Sequence, residues 1–235
     1  MSEKTNRIIR LIDDCSQAER GFVLKHLRRT TPLHPLEAEW NTVAESLLTA
    51  IARSADLTQR GIRGILAEAT FAEIILPKME SRGWNSIQAE GHHAYDFRLT
   101  KDRREVRVQV KLQRKEKGRP KTYPASRRAR LTGAPEVLYC VEVQRTRSGR
   151  KRGENTRPYH FGDFDILAVN LHPSTNDWES FVYTCADWLL PRQPDRTLIE
   201  TFQPVPSAPD AYWTDNLLTC IEWALGKKRA RLYRS

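Results

Sequence analysis

An aspartate, a glutamine and a lysine stand at spacings that phosphodiester chemistry would need. Asp96 lies in the run AYDFRL, and Gln109 and Lys111 lie in VRVQVKLQRK. Residues two apart on a strand point to the same face. Gln109 and Lys111 therefore project together, with Asp96 on the strand before them. Hydrolysis of a phosphodiester takes a hard cation, which prefers oxygen ligands such as carboxylates. Such a cation activates a water and offsets the charge on the phosphate. A neighbouring lysine orients or deprotonates that water, or balances negative charge. One hairpin carrying an aspartate, a polar residue and a lysine supplies these groups.

The surrounding pattern predicts that hairpin. Tyr95 to Leu99 reads as a short strand and Lys101 to Arg104 as a turn. Glu105 to Leu112 alternates strictly, with Val106, Val108, Val110 and Leu112 on one face and Glu105, Arg107, Gln109 and Lys111 on the other. Before the hairpin, a helix is expected from about Gln59 to Leu76, with Thr58 as N-cap and Pro77 as its stop. Further upstream, Leu36, Trp40, Val43, Leu47 and Ile51 recur at helical steps, and Pro32 and Pro35 separate them from a helix around Ile8 to Leu27. After the hairpin come a basic loop at 113–134, a buried strand at 137–143, a second basic loop at 144–158, and strands at 164–171 and 181–184. A Pro-rich stretch follows at 191–209, and a final helix from about Thr214 to Leu232. No internal repeat or low-complexity linker appears. The simplest organisation is a single domain over 1–235, with a helical N-terminal region at 1–57, a core at 58–190 and a C-terminal extension with a helix at 191–235.

Composition narrows the partners. The 235 residues carry a net charge of +10 and 39% apolar side chains. That apolar share supports a buried core and argues against disorder throughout. The charge favours a polyanion, nucleic acid before an anionic membrane surface. Cys15, Cys140, Cys185 and Cys220 are widely spaced and form no CxxC pair. They read as reduced core cysteines, not as a zinc site or a disulfide framework. His92 and His93 are adjacent, so their side chains point apart and make a poor metal pair. The N-terminus has no signal-peptide pattern, and no apolar run approaches the roughly 18 residues of a membrane span. A cytoplasmic protein without a membrane or small-molecule cofactor is expected.

The hairpin resembles that of the PD-(D/E)XK nuclease superfamily. The resemblance covers about residues 60–112, more loosely to 171. It implies a restriction endonuclease-like α/β fold, a mixed central sheet flanked by helices, here with a helical N-terminal extension. It implies Asp96 as a metal ligand, Lys111 as the catalytic lysine and the Val110 carbonyl as a further ligand, with Mg²⁺ as cofactor. The sequence departs from the pattern at Gln109, which stands where the superfamily usually has an acid. A similar glutamine occurs in several restriction endonucleases, including the Mrr-like branch. The missing charge calls for another carboxylate, which superfamily members often carry on the preceding helix. The stretch Arg63 to Glu68 resembles the RGxxxE start of that helix, so Glu68 is the first choice for catalysis and metal binding. Glu73 is the rival, because at 100° per residue it falls among Ile62, Leu66 and Ala69 on an apolar face.

The basic loops supply the expected DNA surface. From Lys101 to Arg130 there are 13 lysines and arginines against three acids. Arg114, Lys115, Lys117, Arg119, Lys121, Arg127 and Arg128 from the first loop, and Arg150, Lys151 and Arg152 from the second, are candidates for phosphate contact. Tyr123 is a candidate for stacking or groove insertion. Asp163 is expected to cap a turn, while Asp165 either caps it or bonds toward the active centre. The reading is a Mg²⁺-dependent endonuclease acting on double-stranded DNA, a sequence-specific type II-like restriction enzyme that a homodimer would suit. A repair or junction-resolving nuclease of the same superfamily, and a DNA-binding protein without catalysis, are the alternatives. An RNA-binding protein ranks lower, because no RNP1-like aromatic motif is present.

Overall fold

A computed structural model of the chain describes residues 2–30, 34–89, 91, 93–145, 150–151, 154–155, 157–226 and 230–233. The chain divides into two compact units, Met1–Gln59 and Arg60–Ser235.

The first unit is helical: α1 (Glu3–Asp13), α2 (Gln17–Thr30), α3 (Pro35–Glu39), α4 (Ala44–Arg53) and the start of α5 (Asp56–Thr70). Local hydrogen bonds cut the two expected helices into four. The Glu19 carboxylate accepts from Ser16 N at 2.8 Å and Ser16 Oγ at 2.6 Å, which starts a new helix at Gln17. His34 and Glu37 form a capping box with Pro35 in the first turn, which starts α3. Asn41 takes a left-handed φ of 47° just after Trp40. The spacing from Leu36 to Ile51 therefore spans two helices and not one.

The second unit is built on a five-stranded mixed sheet in the order β1 (Asn85–Gln88), β2 (Phe97–Lys101), β3 (Arg104–Leu112), β9 (Ile166–Asn170), β10 (Phe181–Cys185). Only β3 and β9 run parallel; the other neighbours are antiparallel. The β2–β3 turn has just two residues between the paired Lys101 and Arg104, and Asp102 takes φ 55° there. β6 (Leu138–Glu142) is buried as expected, but it pairs with β11 (Phe202–Pro206) in a separate ribbon. Two short hairpins, β4–β5 (Lys115–Glu116, Arg119–Pro120) and β7–β8 (Arg150–Lys151, Glu154–Asn155), arise from the basic loops. The remaining helices are α6 (Leu76–Glu80), α7 (Ala125–Arg128), α8 (His172–Thr175) and α9 (Leu217–Leu225). The last of these is shorter than the 214–232 expected.

Helix α5 does not stop at Pro77. It continues through a π-helical turn (Phe71–Ile75) into α6, which carries Pro77 in its first turn. Proline's missing N–H is tolerated at such a restart. Residues Ala67, Phe71, Ile75, Leu76 and Met79 are all buried. In an unbroken α-helix Leu76 would stand roughly 180° round from Ala67, so the wider turn is what brings both to the core. Phe71 anchors this segment, with its ring centroid 5.2 Å from Phe97 on β2 and 5.6 Å from Phe181 on β10.

Candidate active site

The sheet register places Asp96 beside Gln109. Phe97 pairs with Val108, so the residue before the one and the residue after the other face each other across β2 and β3. Val108 and Val110 are buried on one face of β3, and Gln109 and Lys111 project from the opposite one. The alternation read from the sequence is thus present over β3.

Around Gln109 the contacts are specific. Asp96 Oδ2 accepts from Val110 N at 2.8 Å and from the side-chain amide Nε2 of Gln109. The same Nε2 donates to the Val110 carbonyl at 3.2 Å. On the other side, the Tyr159 hydroxyl donates to Gln109 Oε1 at 3.2 Å. Gln109 is 1% exposed and Tyr159 4%, so their contact is out of reach of water, while Asp96 is half-buried. The Lys111 ammonium lies 5.7 Å from the Tyr159 ring centroid, and the Arg145 guanidinium lies 5.4 Å from it. The Tyr159 ring in turn packs edge-on against Phe164 at 5.3 Å.

The charges of Glu68, Asp96 and Lys111 are coupled. Burial, and then the charge of Asp96, raise the Glu68 carboxyl to about 7, against the opposing pull of Lys111. Burial also raises Asp96, opposed by Lys111, the Val110 N–H and the Gln109 amide. For Lys111, burial disfavours the ammonium, but Tyr159, Asp96 and Glu68 together outweigh it and hold the pKa above the ordinary lysine value. Burial raises the Tyr159 phenol as well. Tyr159 is therefore neutral at neutral pH, and the polar and acidic groups beside Lys111 together favour its ammonium.

The structure thus brings Glu68, Asp96, Gln109, Val110 and Lys111 into one cluster. Glu73 is not part of it: it is exposed and lies within the π turn. The apolar face traced through Ile62, Leu66 and Ala69 is not the buried one, since Leu66 is 43% exposed and the core side runs through Ala67 and Phe71. Tyr159 belongs to the cluster but carried no signal of its own in the sequence, being 50 positions from Gln109. Asp165 grips Arg107, two residues before Gln109, with Oδ1 accepting from Nη2 at 2.9 Å and Oδ2 from Nε at 3.0 Å. Asp163 caps the turn at His160, accepting its N–H at 3.0 Å.

The donor set suits a hard divalent cation. Two carboxyls, a main-chain carbonyl and an amide offer oxygen only. Burial first, and the Asp96 charge second, favour the protonated form of Glu68 near neutrality. Among the described residues no group of three or more His, Cys, Asp or Glu could hold a metal ion. Two carboxylates with waters and substrate oxygens are the usual Mg²⁺ arrangement. His93 is exposed, 5.3 Å from the Tyr95 ring, and His92 lies outside the described residues. The cysteines Cys140, Cys185 and Cys220 are free and buried, whereas Cys15 is half-buried and not a core residue.

The candidate DNA-binding residues divide sharply. Lys115, Lys117 and Arg119 are exposed on the β4–β5 hairpin, whose tip, Lys117 at φ 48° and Gly118 at φ 81°, forms a tight primed-type turn. Arg127 is exposed but reaches Glu200 at 3.7 Å. Arg114 is paired with Glu142 at 2.9 Å, Lys121 with Glu116 at 3.1 Å, and Arg128 donates to the Pro135 and Glu136 carbonyls. Arg114 and Arg128 tie the loop to residues beyond it, and Lys121 pairs within it. Tyr123, expected to stack on bases, is only 5% exposed and packs in the core. Arg150 and Lys151 form β7, and Arg152 lies outside the described residues. No helix among the described residues is long and apolar enough to cross a membrane.

No family model matches the chain, and no curated protein matches it. Among solved structures, a bacterial homing endonuclease, I-Ssp6803I, aligns with 72% of this chain and 98% of its own length, at 18% identity and a TM-score of 0.38. A likeness this distant does not bear on the chemistry.

Proposed function

We propose that the protein is a Mg²⁺-dependent endonuclease for double-stranded DNA, of the PD-(D/E)XK type, with sequence-specific cleavage of the restriction kind. The carrying observation is that the helix before the hairpin and the hairpin itself deliver two carboxyls, an amide and a lysine to one cluster. Asp96, Glu68 and the Val110 carbonyl would hold the cation. When bound, it would supply an activated water and charge neutralisation at the phosphate. Lys111 would orient or deprotonate the water, or stabilise charge developing on the phosphate. Gln109 orients Asp96, and Tyr159 orients Gln109. Lys115, Lys117 and Arg119 provide phosphate contacts beside the site's own strand, β3. A homodimer would place two such sites on the two strands of a palindrome.

The test is incubation of purified protein with a long, sequence-diverse plasmid, with Mg²⁺ or with EDTA, beside Lys111→Ala. Discrete fragments in Mg²⁺ alone, formed at least about 100-fold more slowly by the variant, are expected. Salt-sensitive retardation with no cleavage of methylated or unmethylated DNA would leave a binding protein and overturn the nuclease reading.

A further inference from the structure

Gln109 stands where a charged ligand would be of most use, and its amide is turned the wrong way to be one. Its nitrogen faces two oxygens, Asp96 Oδ2 and the Val110 carbonyl, the latter at 3.2 Å. A main-chain carbonyl and an ionised carboxylate accept hydrogen bonds and do not donate them. The other end of the amide meets the Tyr159 hydroxyl at 3.2 Å, and a hydroxyl can donate. The surroundings therefore dictate which end is nitrogen, whatever the amide's apparent shape. The Val110 carbonyl and the Asp96 carboxylate are also what the nuclease reading gives to the cation, so the amide N–H groups and a cation draw on the same two groups.

We propose that the Gln109 amide is a stand-in for the cation and turns over when a divalent cation enters. The proposal rests on the nuclease reading of this cluster. With the amide nitrogen toward Asp96 and Val110, its partial positive charge occupies the place between them. When a cation takes those oxygens, rotation about the last side-chain torsion presents Oε1 to it and swings the NH₂ toward Tyr159. Tyr159 serves both orientations, because its hydroxyl donates in one and accepts in the other. A carboxylate at position 109 could not play the first part. It would set a third acceptor beside Asp96 and the Val110 carbonyl at a fully buried position. The glutamine is thus a device that keeps a half-buried carboxylate paired until the cation arrives, at some expense in cation affinity.

The amide protons report this directly. In protein labelled with ¹⁵N-glutamine, the Gln109 side-chain NH₂ pair is identified by its loss in Gln109→Glu, or in the isosteric, uncharged Gln109→Met if glutamate prevents folding. Titration with Mg²⁺ is expected to shift that pair in step with cation binding measured by calorimetry. Gln109→Glu, where it folds, is expected to bind Mg²⁺ about tenfold more tightly than the parent and to melt at lower temperature in EDTA. If Mg²⁺ binds the parent and Asp96→Ala abolishes that binding, yet the Gln109 pair does not move, the amide is fixed and the inference fails while the nuclease reading stands. If the parent shows no Asp96-dependent Mg²⁺ binding, the nuclease reading fails and the inference goes with it.

Discussion

With both carboxyls ionised, Glu68 and Asp96 share a single ammonium, that of Lys111. Burial, and then the charge of Asp96, let Glu68 keep its proton up to about 7, against an ordinary value of 4.5. Between those values the folded chain holds a proton that the unfolded chain has lost, so stability falls as pH rises across that window. Glu68→Gln should therefore match the parent near pH 4.5 in EDTA and exceed it at pH 8 by about 1–2 kcal/mol. Urea denaturation at the two pH values checks this, and a difference that does not grow with pH would contradict it. Gln109 and Lys111 were legible in the sequence because strand period puts residues two apart on one face, and Asp96 as the acid on the strand before them. Tyr159 was not legible, because its role depends on a tertiary contact across 50 residues. The choice of Glu68 came from a local motif. The helical-wheel case for Glu73 failed because the buried side runs through Ala67 and Phe71, beneath a π turn that no fixed period anticipates.

At the scale of elements, the central strands were legible where alternation or continuous β-branched runs marked them, and edges were not. β1 carries only one large apolar residue, Ile87, and β11 contains Pro204 and Pro206, which read as loop. Proline is tolerated there because β11 pairs on one side only, with β6. The parallel pairing of β3 with β9 is where the two halves of the core meet. Asp165 fixes it, bonding the Arg107 main-chain N–H at 2.8 Å as well as the guanidinium. Asp165→Ala should cost about 1–3 kcal/mol in unfolding free energy, a value moderated by the partial exposure of both side chains. It should also lower cleavage by disturbing the strand that carries Gln109 and Lys111. Asp163→Ala, which loses a turn cap, should cost less. Equal losses for both would argue against a special role for the Arg107 clamp.

Over the whole molecule, the net charge of +10 overstates the surface available to a polyanion. Several basic residues of the first loop are tied to acids or carbonyls, and the exposed, least encumbered ones cluster at the β4–β5 hairpin. Replacing Lys117 and Arg119 together by alanine should weaken DNA binding and reduce the slope of log K against log salt by roughly 2. Arg114→Ala should instead reduce thermal stability, because it leaves Glu142 with the Gln144 amide alone and no ion pair. Fluorescence anisotropy over a salt series, with melting curves, separates the two outcomes. The distance between Arg107 and Asp165, 58 positions along the chain, has one more consequence. Strand pairing this remote in sequence comes slowly, since a long loop must close before any contact rewards it. During synthesis the β2–β3 hairpin leaves the ribosome well before Tyr159 and β9. A nascent chain would hold Asp96 and Lys111 with neither their buttress nor their neighbouring strand, so the proposed cutting ability would appear only once β9 has emerged from the ribosome.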